Sequence, residues 1–179
     1  MESSGLNLDF QTQLKTAEFK TYFRNQAQTF GYEDLFLNRR VVVFSITRMY
    51  HWQSTEYVKK FDTQYENLLS MGVDDVYAIN SAELLFGPWC DKQTKKIKGL
   101  ANIDGQFVSA LADHYKNNKP LPDLKNLWQY IAVVDNGVPE NMWQNPFKAG
   151  MPLYVAKDPG YLYRNLNTNL VVNYLTTPQ

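Results

Sequence analysis

Within residues 40–58, RVVVFSITRMYHWQSTEYV, three side chains could do chemistry: Thr47, His51 and Ser54. An imidazole can act as a base and a serine hydroxyl as a nucleophile. His51 and Ser54, three residues apart at a helix start, are therefore the residue types a hydrolase uses. No carboxylate in the stretch is placed to orient the imidazole, so an Asp or Glu would have to come from elsewhere in the chain. A serine at a helix start is also a common N-cap, which accounts for Ser54 without any reaction. The one cysteine, Cys90, sits beside Trp89. Such a thiol packs as a small hydrophobe unless its surroundings are accessible and positive. His51 and His114 are the only histidines, too few and too scattered for a metal site.

The elements that must position these residues are legible on either side. Val41-Val42-Val43-Phe44 has the length and β-branched character of a buried strand. From Ser54 or Thr55 onward, Val58, Phe61, Tyr65, Leu68 and Leu69 recur at helical spacing, and Gly72 supplies a stop. Residues 73–79, VDDVYAI, read as a second core strand. The strand–helix–strand order implies a parallel pair with a right-handed crossover. The helix N-terminus, with its free N–H groups and positive dipole end, then lies beside the loop that carries Thr47 and His51.

Outside this unit the pattern is less regular. Residues 1 to about 15 are polar and unpatterned and read as a loose arm. The spaced aromatics of 19–30 fit short strands or one helix. Asn80 and Ser81 suit the N-cap of a helix from Ala82, with a kink or restart at Gly87-Pro88. Asp104-Gly105 marks a turn, and Phe107 to Tyr115 reads as a helix. Residues 116–124 are loop-like. Trp128–Val134 and Val138–Trp143, joined through Asp135-Asn136-Gly137, predict a β-hairpin, because Asn-Gly supplies the positive φ angles of a tight turn. Residues 144–160 contain Pro146, Pro152 and Pro159 and are expected to be irregular. Apolar residues at 166, 170, 171, 174 and 175 predict a closing helix. The order β-α-β-α, hairpin, α is that of an α/β thioredoxin-like fold, a central mixed sheet flanked by helices.

Composition bounds the function. A chain of 179 residues is read as a single domain, 1–179, large enough for a proper core. Eighteen basic and eighteen acidic side chains cancel, which argues against a nucleic-acid or acidic-membrane partner. No apolar run approaches the ~20 residues of a membrane span. There is no signal-peptide pattern at the N-terminus, and one cysteine excludes an intramolecular disulfide, so a cytoplasmic location is expected.

The chain also resembles the peroxiredoxins, in particular the redoxin branch of atypical, type II members. Asp34-Leu35-Phe36 followed by Arg40-Val41-Val42-Val43-Phe44 is similar to that family's entry into its first core strand. Gly72-Val73-Asp74-Asp75-Val76 with Trp89 resembles the second strand and its helix, and Asp104-Gly105-Gln106-Phe107 the turn before the next helix. Trp128-Gln129-Tyr130 with Val133-Val134-Asp135-Asn136-Gly137-Val138 resembles the family's hairpin, and Asn173-Tyr174-Leu175 its closing helix. The similarity covers roughly residues 32 to 175.

The resemblance breaks at the reacting residues. The family's site is Pro-x-x-x-Thr-x-x-Cys with an arginine from the hairpin. Laid on this chain, those positions are Thr47, His51, Ser54 and Gln129, all four changed. A thiolate attacks a peroxide oxygen and becomes a sulfenic acid, which a second thiol reduces; a serine oxygen cannot run that cycle. Neutral Gln129 hydrogen-bonds but brings no charge to lower a thiol pKa. The resemblance therefore implies a member of the family that has lost peroxidase activity, needs no cofactor, and acts by binding a partner protein, its own copy or a small ligand. The rival is a peroxidase that works through Cys90. Met49, Tyr50 and Trp52 are expected to fill the vacated pocket. The aromatics Tyr50, Trp52, Trp89 and Trp128 predict a homodimer with Trp52 or Trp89 at the contact.

Overall fold

The structure is a computed structural model that describes residues 10–81, 85–116, 128–145, 157, 158, 160 and 163–177. The N-terminal hairpin comprises β1 (Glu18–Phe23) and β2 (Gln26–Gly31), followed by the short helix α1 (Tyr32–Phe36). The central unit is β3 (Arg40–Ser45), α2 (Trp52–Ser70) and β4 (Asp75–Asn80). Then come α3 (Phe86–Gln93), β5 (Lys98–Ala101), α4 (Gln106–His114), the hairpin β6 (Tyr130–Asp135) and β7 (Val138–Gln144), and α5 (Thr168–Thr176). The strands make one mixed sheet in the order β2-β1-β5-β4-β3-β6-β7. Its centre, β5-β4-β3, is parallel, and antiparallel strands flank it on both sides.

The pleat sorts the core into two layers, because alternate residues of a strand face opposite sides. Val41 and Val43 of β3 join Phe19, Phe36, Tyr77, Phe107 and Trp128 in one cluster. Val42 and Phe44 join Val58, Phe61, Trp89, Cys90 and Val171 in the other. Helices α1 and α4 cover the first face, and α2, α3 and α5 the second. At the N-terminal end of β4 the buried Asp75 accepts hydrogen bonds from Tyr65 (2.9 Å) and Arg39 (3.4 Å), a polar network that anchors α2 to the sheet.

The structure departs from the sequence reading at residues 10–14 and at β5. Residues 10–14, assigned above to the loose arm, form a helical turn that buries Phe10 and Leu14. Helix α3 starts at Phe86, in keeping with the restart expected at Gly87-Pro88, and Pro88 is its third residue, where a missing N–H leaves no intrahelical bond unmade. The residues before it, 82–84, lie outside the described ones, and the Asn80 amide donates to the Ile46 carbonyl at 2.7 Å. Strand β5 was not predicted at all. Gly99 explains its close packing, since a Cβ there would sit 2.5 Å from Cys90 Cβ on α3. Most of the expected loop at 116–124 and of the irregular stretch at 144–160 lies outside the described residues.

Candidate functional site

Strand β3 ends at Ser45, and the chain then crosses Ile46–Tyr50 to reach α2. Gln129, immediately before β6, faces this crossing from the antiparallel neighbour of β3. Its amide donates to the Ser45 carbonyl, and its Oε1 lies 3.5 Å from the Thr47 hydroxyl, at the limit of a hydrogen bond. Ser45 Oγ in turn accepts from Tyr130 N at 2.9 Å. The Thr47 and Gln129 predicted from sequence are thus brought together, in a neutral hydrogen-bonded pair.

Ser54 is completely buried in the first turn of α2. Its hydroxyl donates to the Arg48 carbonyl, and the Tyr163 hydroxyl lies 2.5 Å away. A serine has one proton to give, so with that proton on Arg48 the contact with Tyr163 is one in which tyrosine donates. Ser54 is therefore fully satisfied by the protein. Burial raises the pKa of Tyr163, opposed by hydrogen bonds with Ser54, Thr47 and the backbone of Arg48 and Thr47. Tyr163 packs at 4.6 Å between ring centroids on Tyr57. Burial also raises the Tyr57 pKa; its hydroxyl stands beside Gln129 without a partner at hydrogen-bonding geometry among the described residues.

His51 is not part of this group. It is the N-cap of α2, and its Nδ1 accepts from Gln53 N at 3.2 Å, so the imidazole performs the capping expected of Ser54. The Ser54 hydroxyl is engaged with Arg48 and Tyr163 instead, and no Ser–His dyad forms. Cys90 lies on α3 with no exposed surface, its Sγ 3.9 Å from Thr94 Oγ1. Burial pushes its thiol up to about 12, against a smaller opposing effect of the Thr94 hydrogen bond. Among the described residues, no three His, Cys, Asp or Glu side chains gather where they could hold a metal ion.

The space around Ser54 is closed, but not by the residues expected to close it. Tyr50 is 70% and Trp52 63% exposed, with Tyr50 at a positive φ of 64° that turns the chain outward. Only Met49 packs partly against the core. The residue that seals Ser54 is Tyr163, which sequence reasoning missed because it follows a proline-rich segment without periodicity. Trp89 is only 5% exposed and, like Trp128, is part of the core. Beside the sealed site lies an open cleft of about 320 Å³ between the start of α2 and residues 160 and 163–168, lined by Trp52, Glu56, Tyr57, Lys60, Tyr163 and Arg164 among others.

This architecture defines the chain first as a thioredoxin-like α/β protein. No family model matches the sequence. A peroxiredoxin from Rhizobium etli is 27% identical over 116 residues, which are 63% of this chain and 64% of that protein. The hybrid peroxiredoxin hyPrx5 of Haemophilus influenzae is 25% identical over 126 residues, 69% of this chain and 52% of its own length. The matches thus span between half and two thirds of these curated relatives. Among solved structures, a peroxiredoxin superposes with a TM-score of 0.64 at 17% identity, covering 90% of this chain and 94% of that one. Reduced Prx3 from Vibrio vulnificus in complex with hydrogen peroxide gives 0.62 at 17% identity, covering 90% and 95%. The chain is thus similar in sequence to peroxiredoxins over about two thirds of its length and shares their fold. No helix among the described residues is long and apolar enough to cross a membrane.

Proposed function

We propose that this protein has lost thiol-peroxidase chemistry and works in the cytoplasm by binding a partner protein or small ligand. The observation that carries the reading is the state of Ser54: it occupies the position matched to the family's sulfur, is buried, and has its hydroxyl satisfied by Arg48 and Tyr163. A peroxide would have to displace Tyr163 to reach it and would find an oxygen there that cannot be oxidised and recycled. The charge that activates a peroxidatic thiol is also missing, since Gln129 is neutral. Cys90 does not substitute for these losses. With its pKa near 12, the thiolate fraction at pH 7 is on the order of 10⁻⁵.

The cleft beside the sealed site offers a surface for binding. Exposed Trp52 offers a flat apolar face at its edge, and Lys60, Glu56 and Arg164 offer charges of both signs. A coupled assay of hydrogen peroxide and alkyl hydroperoxide reduction, with thioredoxin, glutaredoxin or glutathione as donor, tests the loss of catalysis. The expected outcome is no turnover above the blank, in the parent chain and in Cys90→Ser alike. Turnover that disappears in Cys90→Ser would establish the rival, a peroxidase working through that thiol.

A further inference from the structure

The two edges of the sheet are built differently. Edge strand β7 carries Pro139, a register irregularity opposite Val133/Val134, and Glu140 bonded to Arg40 at 2.7 Å and to Tyr174 at 2.6 Å. Proline, a bulge and a charge are the devices that keep a sheet edge from pairing. Edge strand β2, QAQTFG, has none of them: it contains no charge and no proline, pairs with β1 in unbroken register, and is exposed from Gln26 to Thr29.

The geometry of the hairpin says which backbone groups that edge presents. Arg24 and Asn25, with φ of 52° and 64°, make a two-residue turn closed by the pair Phe23 and Gln26. In such a hairpin the closing pair is hydrogen-bonded and alternate residues follow suit, so Gln26, Gln28 and Phe30 point their N–H and C=O groups at β1. Ala27, Thr29 and Gly31 point theirs away from the sheet. Gly31 N–H confirms the alternation, since it is taken by the Asp34 carboxylate at 3.2 Å. Ala27 and Thr29 have no backbone hydrogen bonds beyond the ladder among the described residues.

We infer that β2 is a docking edge for a second copy of this chain, paired antiparallel across a two-fold axis through Gln28. Ala27 and Thr29 flank Gln28 symmetrically, so in this register Ala27 of one copy faces Thr29 of the other, and the reverse. Both are outward-pointing residues, and each such pair exchanges two backbone hydrogen bonds, four in all. The two Gln28 side chains meet at the axis, where one amide can donate to the other and accept in return. The same operation brings Arg24, at the turn end of one strand, to the Tyr32–Glu33 end of the other. Neither Arg24 nor Glu33 has an ion-pair partner in its own chain among the described residues. This charge complementarity and the symmetric register select a second copy over an unrelated extended peptide. A groove of about 380 Å³ runs beside the edge against Gly87 and Pro88, with the buried Thr21 hydroxyl at its wall unpartnered among the described residues. A single strand pair is a small contact, so the dimer is weak and concentration-dependent.

Sedimentation equilibrium of the full chain, from micromolar to millimolar, tests the inference. The parent protein is expected to form a reversible dimer. Gln28→Lys, which sets like charges at the axis, and Thr29→Pro, which removes an outward N–H the monomer does not use, should each raise the dissociation constant about tenfold or more. Arg24→Glu and Glu33→Arg should each weaken the dimer, and the double exchange should restore it. Unchanged melting temperatures show that the variants fold; should Thr29→Pro fail this check, Gln28→Lys and the charge exchange carry the test. A monomer throughout, a dimer indifferent to Gln28→Lys, a failed charge-exchange rescue, or a dimer lost on Trp52→Ala would each overturn the inference.

Discussion

Ser54→Cys is expected to reduce peroxide no faster than the parent chain, although it returns sulfur to the position matched to the family's reacting atom. The substitution leaves the rest of the site as it is. Tyr163 and the Arg48 carbonyl still surround the side chain, and both are neutral. Burial among neutral groups raises a thiol's pKa, so almost none of it would be thiolate at pH 7. Neutral Gln129 stands at the position matched to the family's arginine, and the absence of one donor to a developing oxyanion is worth about 10²–10³ in rate. Adding Gln129→Arg is no simple repair. Gln129 is buried and its amide holds the Ser45 carbonyl, so a guanidinium there loses hydration without an evident carboxylate partner. Stopped-flow peroxide consumption by Ser54→Cys measures this directly. Rapid, repeated turnover would mean that the pocket is still organised for peroxide.

The second large effect is on stability. Phe61→Ala is expected to cost about 4 kcal/mol, from lost burial and the cavity left behind. Phe61 is fully buried under the sheet, stacked on Phe44 at 3.9 Å between centroids and 9° between planes, with Tyr57 edge-on at 5.4 Å. Tyr57 packs on Tyr163, so the same stack supports the residue that seals Ser54. At about 2–4 °C per kcal/mol for a chain of this size, the melting temperature should fall by roughly 8–16 °C. Urea unfolding of the purified variant gives the free energy, and a loss below about 1 kcal/mol would contradict this packing.

Where a local signal and burial agree, the sequence is easy to read. The run Val41–Phe44 is strand because it is covered on both faces, and Gly72, at φ 96°, ends the α2 segment as its position implies. Asn136 and Gly137, at φ 51° and 74°, make the predicted hairpin turn. Strand β2 gave no alternation because it is solvated on both sides, and β5 gave none because four residues are too short for a period. At the site, the replaced residues were visible as positions, but their present partners were not. Burial of the aromatics at 50 and 52 was expected from their size alone. A positive φ at Tyr50 and the closure of the pocket by Tyr163, more than a hundred residues downstream, place them outside instead.

The central claim is that no thiol in this protein meets peroxide. Incubating the native chain with equimolar hydrogen peroxide in the presence of dimedone, then measuring the intact mass, tests it without relying on any choice of reductant. Because Cys90 is buried and its thiol pushed up to about 12, the mass is predicted to remain that of the unmodified chain, with label entering only after denaturation. A single dimedone adduct on Cys90 of the folded protein, formed within seconds, would contradict the account.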